Sequence, residues 1–239
     1  MKKESKNKLG IITIFAIAMA FIETTVVVYL RELYYGGGFD FPLKGFIEPN
    51  ILAIEWVREF GTIIMLLAIG VLAGKKMYEK LAYFILAFSI WDIFYYVFLK
   101  VLLNWPSSFL TWDILFLIPL PWISPVLAPL ICCVILMALA ISIIYFNDKG
   151  HNVKISLKEW TLLIFGMLLV LYTWLYDYSK LIFSEGFGKE FFSLVENAEL
   201  YSVISSYVPQ VYNWTVFWVG ILSASLGVFF FFRRNSKKK

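Results

Sequence analysis

Four acids and one arginine interrupt apolar stretches of this chain where charge is least welcome: Glu23, Glu55, Arg58, Glu59 and Asp92. An ionisable side chain at the centre of a membrane helix costs roughly 2.5 to 3.5 kcal/mol, while a Leu, Ile or Phe returns only about 0.3 to 0.6. Such residues mark either function or a specific assembly contact. Their spacing gathers them into faces. Glu55 reaches Arg58 at i+3 and Glu59 at i+4, so one helical turn can set a cation beside two carboxylates. Ser89, Asp92, Tyr96 and Lys100 fall at i, i+3, i+7 and i+11, a narrow polar stripe along one side of a helix. Glu23 has no charged neighbour in its own run and must meet another helix, line water or hold a proton. Four acids against Arg58 and a peripheral Lys100 leave negative charge in excess, so either an acid is neutral or a cation joins the group. The candidate ligand-binding or proton-carrying residues are therefore Glu23, Glu55, Arg58, Glu59, Asp92, Tyr96 and Lys100, with Asp113 above them.

The elements that must position these groups follow from composition. Of 239 residues, 61% are hydrophobic, 19% aromatic and 16% charged, and the mean hydropathy is +0.77. That excludes a soluble enzyme and a disordered chain, and two cysteines exclude a disulfide scaffold. A helix needs about 20 apolar residues to cross a bilayer. Six windows qualify, at 10–30, 50–74, 80–103, 122–146, 159–178 and 209–232. The runs are too long and unbroken for barrel strands, and backbone in lipid must satisfy itself, so helices are required. The expectation is an all-α integral membrane bundle of six transmembrane helices, a single domain over 1–239.

Basic residues in the flanking loops set the orientation. Lys2, Lys3, Lys6 and Lys8 precede the first span, Lys75, Lys76 and Lys80 follow the second, Lys149, Lys154 and Lys158 lie between the fourth and fifth, and Arg233, Arg234, Lys237, Lys238 and Lys239 close the chain. All fall on one side of a six-span arrangement, with only Arg31, Lys44, Lys100, Lys180 and Lys189 on the other. Both termini are accordingly expected in the cytoplasm. The pI near 8.9 then reports topology and anionic lipid, not nucleic acid. Counted from the outer helix ends at 1.5 Å per residue, the five buried charges share a layer roughly 7 to 17 Å below the outer boundary. The first residues also mimic a signal peptide, with small Ala18 and Ala20, but the apolar run continues to Leu30 and reads better as an anchor.

Two outer connections exceed hairpin length. The first holds the apolar run 109–121, too short to cross and broken by Trp112 and Asp113, which predicts an interfacial or re-entrant segment. Prolines at 119, 121, 125 and 129 disfavour regular helix there. The second carries Leu200, Val203, Ile204 and Tyr207 at amphipathic spacing, predicting an outer helix near 190–207 with Glu196 and Glu199 on its polar side. Gly70 with Gly74, and Ser223 with Gly227, are small-residue pairs suited to close helix contact. The tripeptide Trp-Asp-Ile occurs at 91–93 and 112–114 without a wider match, so duplication is not inferred.

Much chemistry lacks parts. His151 is the only histidine and sits in a cytoplasmic loop, which excludes bis-histidine haem, a histidine-rich di-iron site and a Ser-His-Asp triad. Cys132 and Cys133 point to different faces and read as small core residues. No phosphate-binding glycine loop occurs, no cofactor is called for, and the residues name neither a metal nor an oligomeric state.

Glu23 with Val26 to Leu33, the turn Glu55-Trp56-Val57-Arg58-Glu59, and Trp91-Asp92-Ile93-Phe94-Tyr95-Tyr96 followed by Trp112-Asp113-Ile114-Leu115-Phe116 resemble an uncharacterised family of bacterial polytopic membrane proteins. That resemblance implies a bacterial cytoplasmic (inner) membrane and carries no activity.

Three functional readings follow. In the first, a small permease binds a cation, proton or small polar solute at the carboxylates, although the apolar inner half offers little through-path. In the second, an intramembrane enzyme uses paired carboxylates as acid and base on a lipid or amphiphile from the outer leaflet, with no nucleophile in evidence. In the third, Arg58 and Lys100 neutralise carboxylates and the charges specify helix assembly in a structural or partner-binding subunit. Membrane lipid is a partner in all three.

Overall fold

A computed structural model describes residues 1–34, 41, 49–118, 120–187, 203–204 and 206–237. Six helices, each with an apolar stretch long enough to cross a membrane, make up most of it. They are α1 (Lys3–Tyr34), α2 (Pro49–Ala73), α3 (Met77–Leu103), α4 (Leu127–Asp148), α5 (Leu157–Ser184) and α6 (Trp214–Ser236). α1, α3 and α5 outrun their apolar windows because Lys, Glu and Arg continue a helix readily once it leaves the hydrocarbon.

Local chemistry fixes several ends. At the start of α5 the Ser156 hydroxyl accepts from the Glu159 amide at 3.4 Å and Glu159 accepts from the Ser156 amide at 2.8 Å, a reciprocal cap. Glu79 likewise accepts from the Lys75 amide at 2.8 Å before α3, and Asn213 from the Val216 amide at 3.1 Å at the start of α6. α3 stops at Asn104, whose φ of 52° is left-handed.

One hydrophobic cluster joins the bundle, taking Ala16 from α1, Leu66 from α2, Leu86 from α3, Ile143 from α4 and Phe231 from α6. Small residues set the closest approaches. A methyl group on Gly166 of α5 would stand 2.5 Å from the Gly220 carbonyl of α6, and one on Gly70 would stand 2.7 Å from Phe84 of α3. The Ser223 hydroxyl donates to the Leu162 carbonyl at 2.9 Å, binding α6 to α5. Both predicted small-residue pairs thus face a neighbouring segment, while Gly166 and Gly220 make a third contact.

Polar ties collect at one end of the bundle. The Lys2 amide and Ser5 hydroxyl donate to Asp148 at 2.9 and 2.5 Å, and Lys8 donates to the Ala73 carbonyl at 2.8 Å. Glu4 pairs with Lys75 at 3.0 Å, and Arg234 with Glu159 at 2.7 Å. The start of the chain, the ends of α2, α4 and α6 and the start of α5 therefore meet in one lysine-rich layer.

To the six-helix bundle the structure adds a short hairpin at the opposite end, in the segment expected to be interfacial or re-entrant. Trp112–Phe116 (β1) and Trp122–Pro125 (β2) form an antiparallel pair, Asp113 facing Ser124 and Ile114 facing Ile123, with an irregularity between Ile114 and Phe116. Prolines deny this stretch a helix, while its Trp, Ile and Phe favour strands. The fourth helix consequently begins at Leu127, not at residue 122. Most of the helix expected near 190–207 lies outside the described residues.

Candidate functional site

α2 carries the charged turn, and its spacing works as geometry requires. The Arg58 Nε donates to Glu55 Oε2 at 2.7 Å one turn back, and Nη2 stands 2.6 Å from the same oxygen. Nη1 crosses to α1 and donates to Glu23 Oε1. The second oxygen of Glu23 accepts from the Thr62 hydroxyl at 3.1 Å. One guanidinium therefore clamps carboxylates from two helices, a use that suits its planar fork. The backbones of α1 and α2 approach little, so this triad, with the Lys8 bond to the Ala73 carbonyl, joins the two helices.

Glu59 turns the other way. Both its oxygens accept the Leu117 amide, at 2.8 and 3.1 Å, just beyond β1. That amide lies outside the strand pairing, and an unpaired donor in an apolar setting is costly, so the carboxylate completes the hairpin and ties it to α2.

The third group spans α3, β1 and α4. Asp92 is only 9% exposed and accepts from the Cys133 thiol at 3.2 Å. One turn on, the Tyr96 hydroxyl donates to Asp113 Oδ2 at 2.8 Å. Burial pushes the Asp113 carboxyl up to about 7, against the lowering effect of the Tyr96 hydroxyl and the Ile114 amide, and the nearby charge of Asp92 acts in the same direction as burial. Two carboxyl groups on different elements thus flank one tyrosine.

Lys100 does not neutralise any of them. Its ammonium donates to the carbonyls of Asn104 at 3.3 Å and Pro106 at 3.0 Å, capping the end of α3. The polar stripe of α3 is buried at Ser89, Asp92 and Tyr96 and ends at this exposed lysine.

Three sub-sites result. Glu23, Glu55 and Arg58 form an ion triad with Thr62, Glu59 caps the hairpin, and Asp92, Tyr96 and Asp113 form a carboxyl pair with Cys133. Among the described residues the triad is the only place where a buried carboxylate of this group meets a cation. Thr62 was legible, since 55, 58, 59 and 62 continue one helix face at i, i+3, i+4 and i+7. Cys133 and the Leu117 amide were not, because only the fold brings α4 and the hairpin to these acids.

His151, the single imidazole, stacks on Phe146 at the lysine-rich end, its centroid 5.6 Å away. Among the described residues no group of three or more His, Cys, Asp or Glu is arranged to hold a metal ion. What the site offers is proton and hydrogen-bond chemistry at carboxyl, phenol and thiol groups. No family model matches the chain, and no curated protein or solved structure matches it.

Proposed function

We propose that this chain is a small multi-pass permease of a bacterial cytoplasmic membrane, exchanging a proton or a small cation at Asp92 and Asp113. One observation carries the reading. The only arginine in the buried group is spent on Glu23 and Glu55, so Asp92, bonded by the Cys133 thiol, and Asp113, bonded by the Tyr96 hydroxyl, lie near enough for their charges to interact and have hydrogen-bond donors but no cation among the described residues. Two buried carboxyls so placed bind a proton on one member or take a cation from outside. The Arg58 triad, which is internally satisfied, holds α1 to α2 and keeps the carboxyl pair free of a competing cation.

The lysine-rich layer supports a cytoplasmic position for both termini, by the bias of basic residues toward that side. On that topology the hairpin and the carboxyl pair belong to the outer half of the membrane. Tyr96 and Asp113 then lie on the approach from outside, and buried Ser89, one turn from Asp92 toward the lysine-rich end, is the first polar group of an inward path.

The test is flux. Purified protein in sealed vesicles, given an inward proton or sodium gradient, is expected to dissipate it saturably. Asp92→Asn and Asp113→Asn are each expected to lower that flux at least tenfold in protein that still folds. Undiminished flux in both variants would remove the proposal, and lipid turnover without any gradient would replace it with the enzyme reading.

A further inference from the structure

A cavity lies away from these carboxylates. It measures about 670 Å³ and opens between the last turns of α5 and the segment leading into α6. That volume is typical of small-ligand sites. Asp177 and Lys180 occupy one wall at i and i+3 of the same helix, with Tyr172, Tyr176, Tyr207 and Trp214 around them.

Depth separates the two charges. Asp177 is 8% exposed and hydrogen-bonded by the Tyr207 hydroxyl, whereas Lys180 is exposed at the rim. Lys180 is near enough for its charge to act on Asp177, yet the two make no ion pair. A buried carboxylate and a rim ammonium on one helix face thus stand apart with a cavity beside them. The rings of Tyr172 and Tyr176, 5.7 Å apart and tilted, add the negative faces that attract a cation. Aromatic residues near a helix end are ordinarily interface anchors. Anchoring alone does not call for a buried carboxylate behind them.

Ligand class follows from the pair of charges. Lys180 opposes entry of a simple cation, and Asp177 opposes a simple anion. A zwitterion with an ammonium and a phosphate joined by a short link satisfies both, its ammonium inward against Asp177 and the tyrosine faces, its phosphate outward on Lys180. We propose that this cavity binds an ammonium-phosphate zwitterion of the phosphoethanolamine type. On the topology proposed above, it would meet the headgroup of an outer-leaflet phospholipid. The site shares no residue with the carboxyl pair at Asp92, so it stands whether or not the chain is a permease.

Native mass spectrometry of the full chain in detergent tests this with phosphatidylethanolamine and phosphatidylglycerol offered in parallel. One phosphatidylethanolamine is expected to be retained at least tenfold more tightly than phosphatidylglycerol; Asp177→Asn is expected to abolish that preference, and Lys180→Gln to weaken retention of both lipids at least several-fold. Tyr176→Leu, at a half-exposed ring, is expected to weaken the preference several-fold. Free phosphoethanolamine that displaces the lipid at similar concentration identifies a soluble zwitterion as ligand. Failure to displace it identifies the lipid, and either result upholds the zwitterion site. Equal retention of the two lipids by the unaltered protein, or undiminished retention of phosphatidylethanolamine in folded Lys180→Gln protein, overturns it. Lys180 is exposed, so that arm decides the matter even if Asp177→Asn fails to fold.

Discussion

Replacing Arg58 by methionine removes the cation shared by Glu23 and Glu55 and keeps most of the side-chain volume. Two carboxylates that are nearly as buried as the core, with side-chain exposures of 11% and 8%, are then left without a positive partner. Removing one member of a buried ion pair costs about 3 to 5 kcal/mol, because the remaining charge is stranded. Arg58 itself is 22% exposed, which places the expected loss near the lower end, about 3 kcal/mol. The penalty has a ceiling. A stranded carboxylate can discharge itself by taking a proton, at a cost of about 4 kcal/mol near pH 7 and about 1 near pH 5 for a reference pKa of about 4.3. Equilibrium unfolding in mixed micelles should therefore find Arg58→Met strongly destabilised at neutral pH and much less so in mild acid. The triple variant with Glu23→Gln and Glu55→Gln should recover most of the loss, since it leaves no buried charge unpaired. Equal destabilisation by Arg58→Met at both pH values, or a triple variant weaker than the single one, would refute the triad as a link between α1 and α2.

Three further outcomes follow from other parts of the molecule. Gly166→Leu must push α5 from α6, because even a methyl there would stand 2.5 Å from the Gly220 carbonyl, and a loss of about 1 to 3 kcal/mol in thermal unfolding is expected. Glu59→Leu strands the Leu117 amide at about 1 to 3 kcal/mol, and hydrogen exchange should show that amide losing its protection while α2 keeps its own. Asp113 titrates near 7 in the folded chain against 3.8 for the free group, so the folded protein holds a proton that the unfolded chain has released. Its contribution to stability is thus greatest in acid, falls as pH rises from about 3.8 to about 7 and is level above, and Asp113→Asn should flatten that slope in melting curves measured across the range.

Helix content was the legible part of this fold, since six apolar runs of spanning length admit one solution in lipid, and each is helical over most of its length. The hairpin shows what a run of apolar residues leaves open. Trp112–Phe116 and Trp122–Pro125 are strand-forming stretches around a proline-rich turn, yet their apolar character is shared with helix, and a membrane setting argues against open strand edges. The repeated Trp-Asp-Ile makes the point directly, being helical in α3 and extended in β1. Within the site, contacts inside one helix were readable from spacing, as with Glu55, Arg58 and Glu59. Partners across helices were not. That Arg58 reaches Glu23, that Cys133 meets Asp92 and that Lys100 turns to carbonyls depends on how the helices rotate about their axes, which side-chain period does not fix.

Infrared difference spectroscopy of the reconstituted protein, recorded as a proton or sodium gradient is applied, addresses the carboxyl pair itself. The account predicts a carboxyl stretching band that changes with the gradient, shifts in Asp113→Asn protein, disappears in Asp92→Asn protein and persists in Glu55→Gln protein. A spectrum with no gradient-dependent carboxyl band, or one that survives unaltered in Asp92→Asn protein, would contradict it.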